Sequence, residues 1–381
     1  MKKLSLVLVS ILFVFGWSVV VDAKPLPGKS QIRALYPDIS PEDFKAKLAG
    51  VTNSFFFLRT FVPLYYKLMK DFPAPEFEAV GLDKISALCV GDAHPENFGV
   101  LLSDAGAPIF TVNDIDDGGP CPAVMDMLRF LVAVHLYDPN QNLSDLVDSY
   151  QSSLNGNQVQ FSNVVAQMLM DAKGKLGPSG KIQAGPKIER RKGMDDVEDS
   201  ERKAIQEVVT QVYGVNARVL DAVTLKKASG GSGGMLRFRT LVALKTGLIQ
   251  LIEFKEIQQP GIFPVATAPL GDPAVRLTSL IAMEQGDNAS KLYSVNFLQG
   301  RQMLLRPRRI GNLGVQLDDI KSSDLPNVFS DEISVLGRIH ARGVRDLGAY
   351  RQGFAKITLQ QWVQITERYS QMMESIYKDV R

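Results

Sequence analysis

Between residues 85 and 122 the chain alternates short apolar runs with polar loops: "ISALCV", "GDAHPEN", "FGVLL", "SDAGAP", "IFTV" and "NDIDDGGP". Such runs are too short for helices. Closed by clusters of Gly, Pro, Asn and Asp, they read as buried strands joined by turns. From Ala123 the period changes, and "AVMDMLRFLVAVHLY" has the spacing of a buried helix. Strand ends therefore carry the polar residues. Asp92 follows one strand, and Asn97 can return toward it if the loop curls. Asn113 and Asp114 end the neighbouring strand. Carboxylates with an amide oxygen suit Mg²⁺, which takes a few protein oxygens and keeps other positions for water or phosphate. The plainer alternative is that Asp92 and Asn97 satisfy backbone groups in their own turns.

The rest of the chain frames that patch. Residues 24–80 read as amphipathic helices, with a Ser40–Pro41 start and an acidic first turn. Pro63 predicts a kink or break in "FFFLRTFVPLYYKLMKDF". Residues 172–202 are rich in Gly, Pro and charge, and read as a mobile linker or insertion. Two strand-like runs flanking Lys-Thr-Gly predict a hairpin over 235–257. Residues 273–285 are expected to be helical, 294–310 strand-like, and 329–381 mostly helical. The expected class is α+β. Its segments are 24–171 (a helical lobe with the site loops), 172–202 (the linker), 203–328 (a β-rich lobe) and 329–381 (helices returning to the helical lobe).

Composition excludes some partners. Apolar residues make up 45% and charged residues 22%, enough for a sizeable core. The start "MKK–LSLVLVSILFVFGWSVVV–VDA" has the layout of a signal peptide cleaved after Ala23, so residues 1–23 are expected to be a leader. The protein is then exported, periplasmic or extracellular, with no membrane span in the mature chain. Without Lys2, Lys3 and Asp22 the balance is 41 basic to 40 acidic residues, which gives no footing for nucleic-acid binding. In an oxidising compartment Cys89 and Cys121 can form a disulfide, or both can remain small buried side chains. Oligomeric state is not legible.

Two further patterns bear on chemistry. Asp92-Ala93-His94 is an Asp-x-His, as in two-metal phosphoesterases, but such centres need several histidines and the chain has three. Asp114-Ile115-Asp116 is a weak Asp-x-Asp. "SGGSGG" (Ser229–Gly234) leads into the hairpin, whose second strand carries Lys255. Gly231, Ser232 and Gly234 would let backbone N–H groups approach phosphates, with Lys255 reaching their charge. It is not a Walker motif, which needs Gly-Lys-Ser/Thr entering a helix.

The motifs "GDAHPENFG", "FTVNDIDD" and "MDMLRF" resemble the bacterial family known as domain of unknown function 2252. The resemblance extends to "FFFLRTF" around Arg59, "KE" at Lys255 and Glu256, "LLRP" at Arg306 and "IHAR" around His340. That family is similar to the protein-kinase-like fold of aminoglycoside and choline phosphotransferases. The resemblance implies a two-lobed fold in circularly permuted order, the helical catalytic lobe first and the Gly-rich β-lobe second. It implies Asp92 as the residue that orients or deprotonates an acceptor hydroxyl, and His94 as an organiser of its loop. Asn97 and Asp114 would hold Mg²⁺, with Asp116 assisting a second metal. Lys255 would bind ATP phosphates, Glu284 would pair with Lys255, and Asp126 would brace the catalytic loop. The expected function is Mg²⁺-dependent phosphoryl transfer from a nucleoside triphosphate to an unknown hydroxyl-bearing substrate. Because an exported protein meets little ATP, a non-catalytic binding protein on the same fold is the second reading, and a metal-dependent phosphoester hydrolase the third.

Overall fold

A computed structural model describes residues 24–180, 182–183, 185–225 and 233–381. The leader at 1–23, and Ser229, Gly231 and Ser232 of the glycine-rich run, lie outside the described residues. The architecture is α+β. Among the described residues, no helix is long and apolar enough to cross a membrane.

The N-terminal part is helical, and its breaks follow the residues that cannot continue a helix. Ser40 Oγ accepts from Asp43 N, opening a helix with Pro41 in its first turn. Helix α1 (Ser54–Thr60) gives way at Phe61 to α2 (Val62–Asp71), with Pro63 in the first turn of α2, where its missing N–H costs nothing. Four short strands follow: β1 (Ser86–Cys89), β2 (Phe98–Leu102), β3 (Pro108–Val112) and β4 (Gly119–Pro122). β2 and β3 form an antiparallel hairpin, whereas β1 pairs with β4. Helices α3 (Ala123–Tyr137) and α4 (Leu143–Leu154) complete this region.

The second region is a six-stranded antiparallel sheet. Its strands are β5 (Met194–Asp196), β6 (Arg218–Leu225), β7 (Arg237–Ala243), β8 (Ile249–Glu256), β9 (Ser294–Leu298) and β10 (Arg301–Pro307), in the order β9-β10-β8-β7-β6-β5. The predicted hairpin is β7–β8, turning at Gly247 with φ +80°. Helix α5 (Asp199–Tyr213) covers one face, burying Ile205 and Val209 against Phe238, Ile252, Phe254 and Leu305. Strand alternation sends Arg237, Arg239, Glu253 and Lys255 to the other face.

Helix α6 (Pro273–Gln285) lies at the predicted position; its Leu277 and Leu280 join the helical core, and the helix also packs on strand β9 of the sheet. The last two long helices, α7 (Leu325–Gly343) and α8 (Leu359–Val380), return to that same core. Gly337 is where α7 touches α4: a Cβ there would meet Tyr150 O at 2.7 Å, so any side chain would force the helices apart. Helix α8 buries Trp362, Ile365, Tyr369, Met373 and Ile376 at helical spacing, and Thr358 and Gln361 close its start as a capping box.

The linker reading of 172–202 is corrected. Ser179 N donates to Arg308 O, Ile188 N donates to Asp221 Oδ2, and Met194–Asp196 is the edge strand of the sheet. Asp199 already begins α5. This stretch docks through backbone pairing and the Arg190–Asp221 ion pair, neither of which large apolar side chains announce.

One buried group strains the helical core. Both carboxylate oxygens of Glu332 on α7 lack a hydrogen-bond partner, and the residue is fully buried. Burial, with the charges of Asp331 and Glu96, pushes its pKa well above the ordinary 4.5. The folded chain thus keeps a proton that the unfolded chain releases, and stability from this group falls as pH rises above 4.5. Glu332→Gln is expected to match the wild type near about pH 4 and to exceed it near about pH 8, measured as the difference in urea midpoints.

Candidate functional site

The loop after β1 is held from behind by one carboxylate. Asp126, in the first turn of α3, accepts from Val90 N at 2.8 Å, Gly91 N at 3.0 Å and the Tyr66 hydroxyl at 2.9 Å. Its Oδ2 lies 3.0 Å from Nε2 of His340 on α7, whose Nδ1 is 2.6 Å from the Tyr150 hydroxyl. Asp126 is fully buried and does not line the site; it braces the loop from behind. Gly91 has φ +85°, and a Cβ there would meet Asp117 O at 2.2 Å, so the loops carrying Asp92 and Asp117 are in backbone contact. Cys89 and Cys121, on the paired strands β1 and β4, form a disulfide that closes the segment containing both loops.

Asp92 emerges from this support next to Arg129. Arg129 Nη2 is 2.5 Å from Asp92 Oδ1, and His94 Nε2 is 3.4 Å from Oδ2. Burial disfavours the Asp92 charge, but His94 and Arg129 outweigh it and hold the carboxyl below its ordinary range. His94 itself is lowered by burial despite the pull of Asp92, so at neutral pH Arg129 is the permanent cation. The Arg129 side chain is fully buried, with its guanidinium near the rings of Tyr65 and Tyr66.

Asn97 links the two loops. Its Nδ2 donates to Asp92 O at 3.0 Å and Asp114 O at 2.9 Å, leaving Oδ1 as the atom available to a ligand. Lys255 Nζ reaches across from β8 to Asp114 Oδ2 at 2.6 Å and Asp116 Oδ1 at 2.7 Å. Arg306 on β10 donates to Asp114 Oδ1 at 3.2 Å and pairs with Glu253 at 2.7 Å. Burial opposes ionisation of Asp114, yet Lys255 and Arg306 hold it well below its ordinary value. Asp116 goes the other way, raised by burial and by the charge of Asp114. Burial, Asp116 and Asp92 push Asp117 up to about 7.

These groups surround a cavity of about 710 Å³, a size suited to a small molecule. Asp92, His94, Asn97, Asp114, Asp116 and Lys255 all line it. Gly234, with φ +83°, packs near Asp43 and does not line the cavity; Gly231 and Ser232 fall outside the described residues. The expected Glu284–Lys255 pair is corrected. Glu284 is buried on α6, within 3.4 Å of Thr111 Oγ1, and burial raises its pKa well above the ordinary value. The face of β8 that carries Lys255 looks instead onto the Asp114 loop. The histidines do not converge: His94 alone lines the cavity, His340 sits behind Asp126, and His135 is on α3.

Sequence reading missed Asp117, Arg129, Arg237, Arg306 and Arg308 as site residues. Arg129 had a usable signal, since an arginine in the middle of a mostly apolar helix requires a buried partner. Asn97 Oδ1 and the Asp114 carboxylate have the oxygen chemistry that Mg²⁺ prefers. Among the described residues, no group of three or more His, Cys, Asp or Glu side chains is placed to hold a metal ion. With Lys255 between Asp114 and Asp116, that charge is already countered.

Replacing Asp126 tests the brace. Asp126→Asn keeps the shape but turns one acceptor into a donor facing backbone N–H groups. Unfolding stability is expected to fall by roughly 2–4 kcal/mol, read from urea denaturation, because several buried hydrogen bonds fail together.

Residues 41–150 match the model of a family described as "Uncharacterized protein conserved in bacteria (DUF2252)", a span that holds Arg59, Asp92, Asn97, Asp114, Asp126 and Arg129 but none of the sheet. No curated protein and no solved structure matches the chain.

Proposed function

We propose that the chain is a Mg²⁺-dependent phosphotransferase with a protein-kinase-like arrangement in permuted order, using a nucleoside triphosphate and a hydroxyl-bearing acceptor. The observation that carries this reading is the meeting of Lys255, from the sheet, with Asp114 and Asp116 in the cavity that also holds Asp92 and Asn97. Asn97 Oδ1 and Asp114 would hold the metal, which supplies neutralisation of phosphate charge. In the ligand-free protein Lys255 and Asp114 neutralise each other. With ligands bound, Asp114 would face Mg²⁺ and Lys255 would face phosphate oxygens.

Asp92 acts by orientation. Arg129 and His94 keep it ionised, so it is a weak proton acceptor but a firm hydrogen-bond acceptor for an incoming hydroxyl. That suits phosphoryl transfer, which relies on positioning and charge stabilisation more than on strong base catalysis. The Cys89–Cys121 disulfide supports export to an oxidising compartment, in keeping with the leader-like start.

Calorimetric titration of Mg-ATP into the chain from Lys24 onward tests the reading. Binding is expected to require Mg²⁺ and to weaken by about tenfold or more in Asp114→Asn, the scale of a lost charge-assisted contact. Asp92→Asn should bind nucleotide like the wild type while transfer falls by at least about a hundredfold. Failure of the wild type to bind at millimolar Mg-ATP would remove the nucleotide from this proposal.

A further inference from the structure

The face of the sheet that looks into the cavity carries more cations than a triphosphate site at Lys255 uses. In register, Arg237 lies opposite Lys255, and Glu253 sits between Arg239 on β7 and Arg306 on β10. The next row continues the stripe, where Arg308 N donates to Leu251 O at 2.8 Å. From Lys255 to the Leu251 row is four strand residues, roughly 14 Å.

The cations are not matched along this length. Glu253 is the only carboxylate on this face of β8, and it pairs with Arg306 at 2.7 Å and Arg237 at 3.1 Å. Asp114 and Asp116 reach across to Lys255 and Arg306. Even so, Lys255, Arg237, Arg239, Arg306 and Arg308 outnumber Glu253, Asp114 and Asp116. The side chains of Arg239 and Arg308 make neither a hydrogen bond nor an ion pair among the described residues, and Nε of Arg239 is buried without a partner. Arg308 lines the cavity, and Arg239, opposite Glu253 on the same face, stands behind that lining. Both guanidiniums are lowered from their ordinary pKa, by burial first and partly by the neighbouring arginines. Crowded, half-buried cations without anions of their own suit an anionic ligand group.

We infer that Arg308, with Arg239 beside it on the same sheet face, forms a second anion subsite beyond Glu253 from Lys255, one that takes a further phosphate group at the Arg308 end of the cavity. The phosphate has two possible sources, a donor chain with more phosphoanhydride units than a nucleoside triphosphate, or a phosphate ester on the acceptor. The inference rests on the phosphotransferase reading for the Lys255 end of the cavity, and its test separates the two.

The experiment titrates a short linear inorganic polyphosphate, and separately Mg-ATP followed by a hexose 6-phosphate, into wild type, Arg239→Gln/Arg308→Gln and a control Lys378→Gln/Arg381→Gln. Thermal melting of each variant confirms folding first. Expected is a loss of about tenfold or more in affinity for one of the two probes in the Arg239/Arg308 variant, well beyond its loss for Mg-ATP, with the control unchanged. Loss confined to polyphosphate assigns the subsite to a donor chain; loss confined to the hexose phosphate assigns it to the acceptor. Equal affinity of wild type and variant for both probes, or an equal loss in the control, overturns the subsite. Wild type that binds polyphosphate through these arginines but not Mg-ATP would overturn the nucleotide reading alone.

Discussion

Lys255 is nearly fully buried, and its two partners come from a different part of the chain. Removing an ammonium from water costs several kcal/mol, and one carboxylate seldom offsets that cost. Two carboxylates within 2.7 Å do better, and Arg306 keeps one of them ionised. The direction of Lys255 is not negotiable. Phe254 and Ile252 must face α5 in the core of the sheet, and the pleat then turns Lys255 and Glu253 toward the cavity. A hydrophobic constraint on one face of β8 thus decides where the charge goes on the other.

The opposite wall depends on a second constraint. Asp92 has a useful position only because its loop is pinned by Asp126 below, by the disulfide next to it and by contact between Gly91 and Asp117. Each pin is of a different kind: hydrogen bonds, a covalent link and a steric fit that only glycine meets. A misplacement on the order of 1 Å in a group that orients a reactant can cost two orders of magnitude in rate. Redundant support of a loop that carries so many carboxylates is physically reasonable, because their mutual repulsion works to open it.

Much of this was legible in the sequence. Strands β1 to β3, helix α3, the β7–β8 hairpin and helix α6 lie where periodicity and turn residues put them, because each has an apolar face and a residue type that ends it. Asp92, Asn97, Asp114 and Lys255 were readable as candidates from their positions at strand ends and on the hairpin, and all four line the cavity. Residues 172–202 were misread because they dock by backbone pairing, which leaves little trace in composition. Glu284 was misassigned because sequence distance does not tell which neighbour a helical side chain turns to, and on α6 Glu284 turns to Thr111 of β3. Arg129 and the arginines of the sheet face were passed over because an isolated arginine reads as a solvated residue until its burial is known.

The two walls differ in sign. Asp92, Asn97, Asp114, Asp116 and Asp117 come from the helical side, while Lys255, Arg237, Arg306 and Arg308 come from the sheet. A purely cationic ligand would leave the arginines unpaired, and a purely anionic one would add to the repulsion that already raises Asp117 to about 7. A ligand of mixed sign, with a divalent cation toward the carboxylates and phosphate oxygens toward the sheet, satisfies both walls at once. On the proposed reading, the ion pairs of Lys255 would stand in for that arrangement. They would keep opposed charges paired in the cavity until a partner of each sign replaced them.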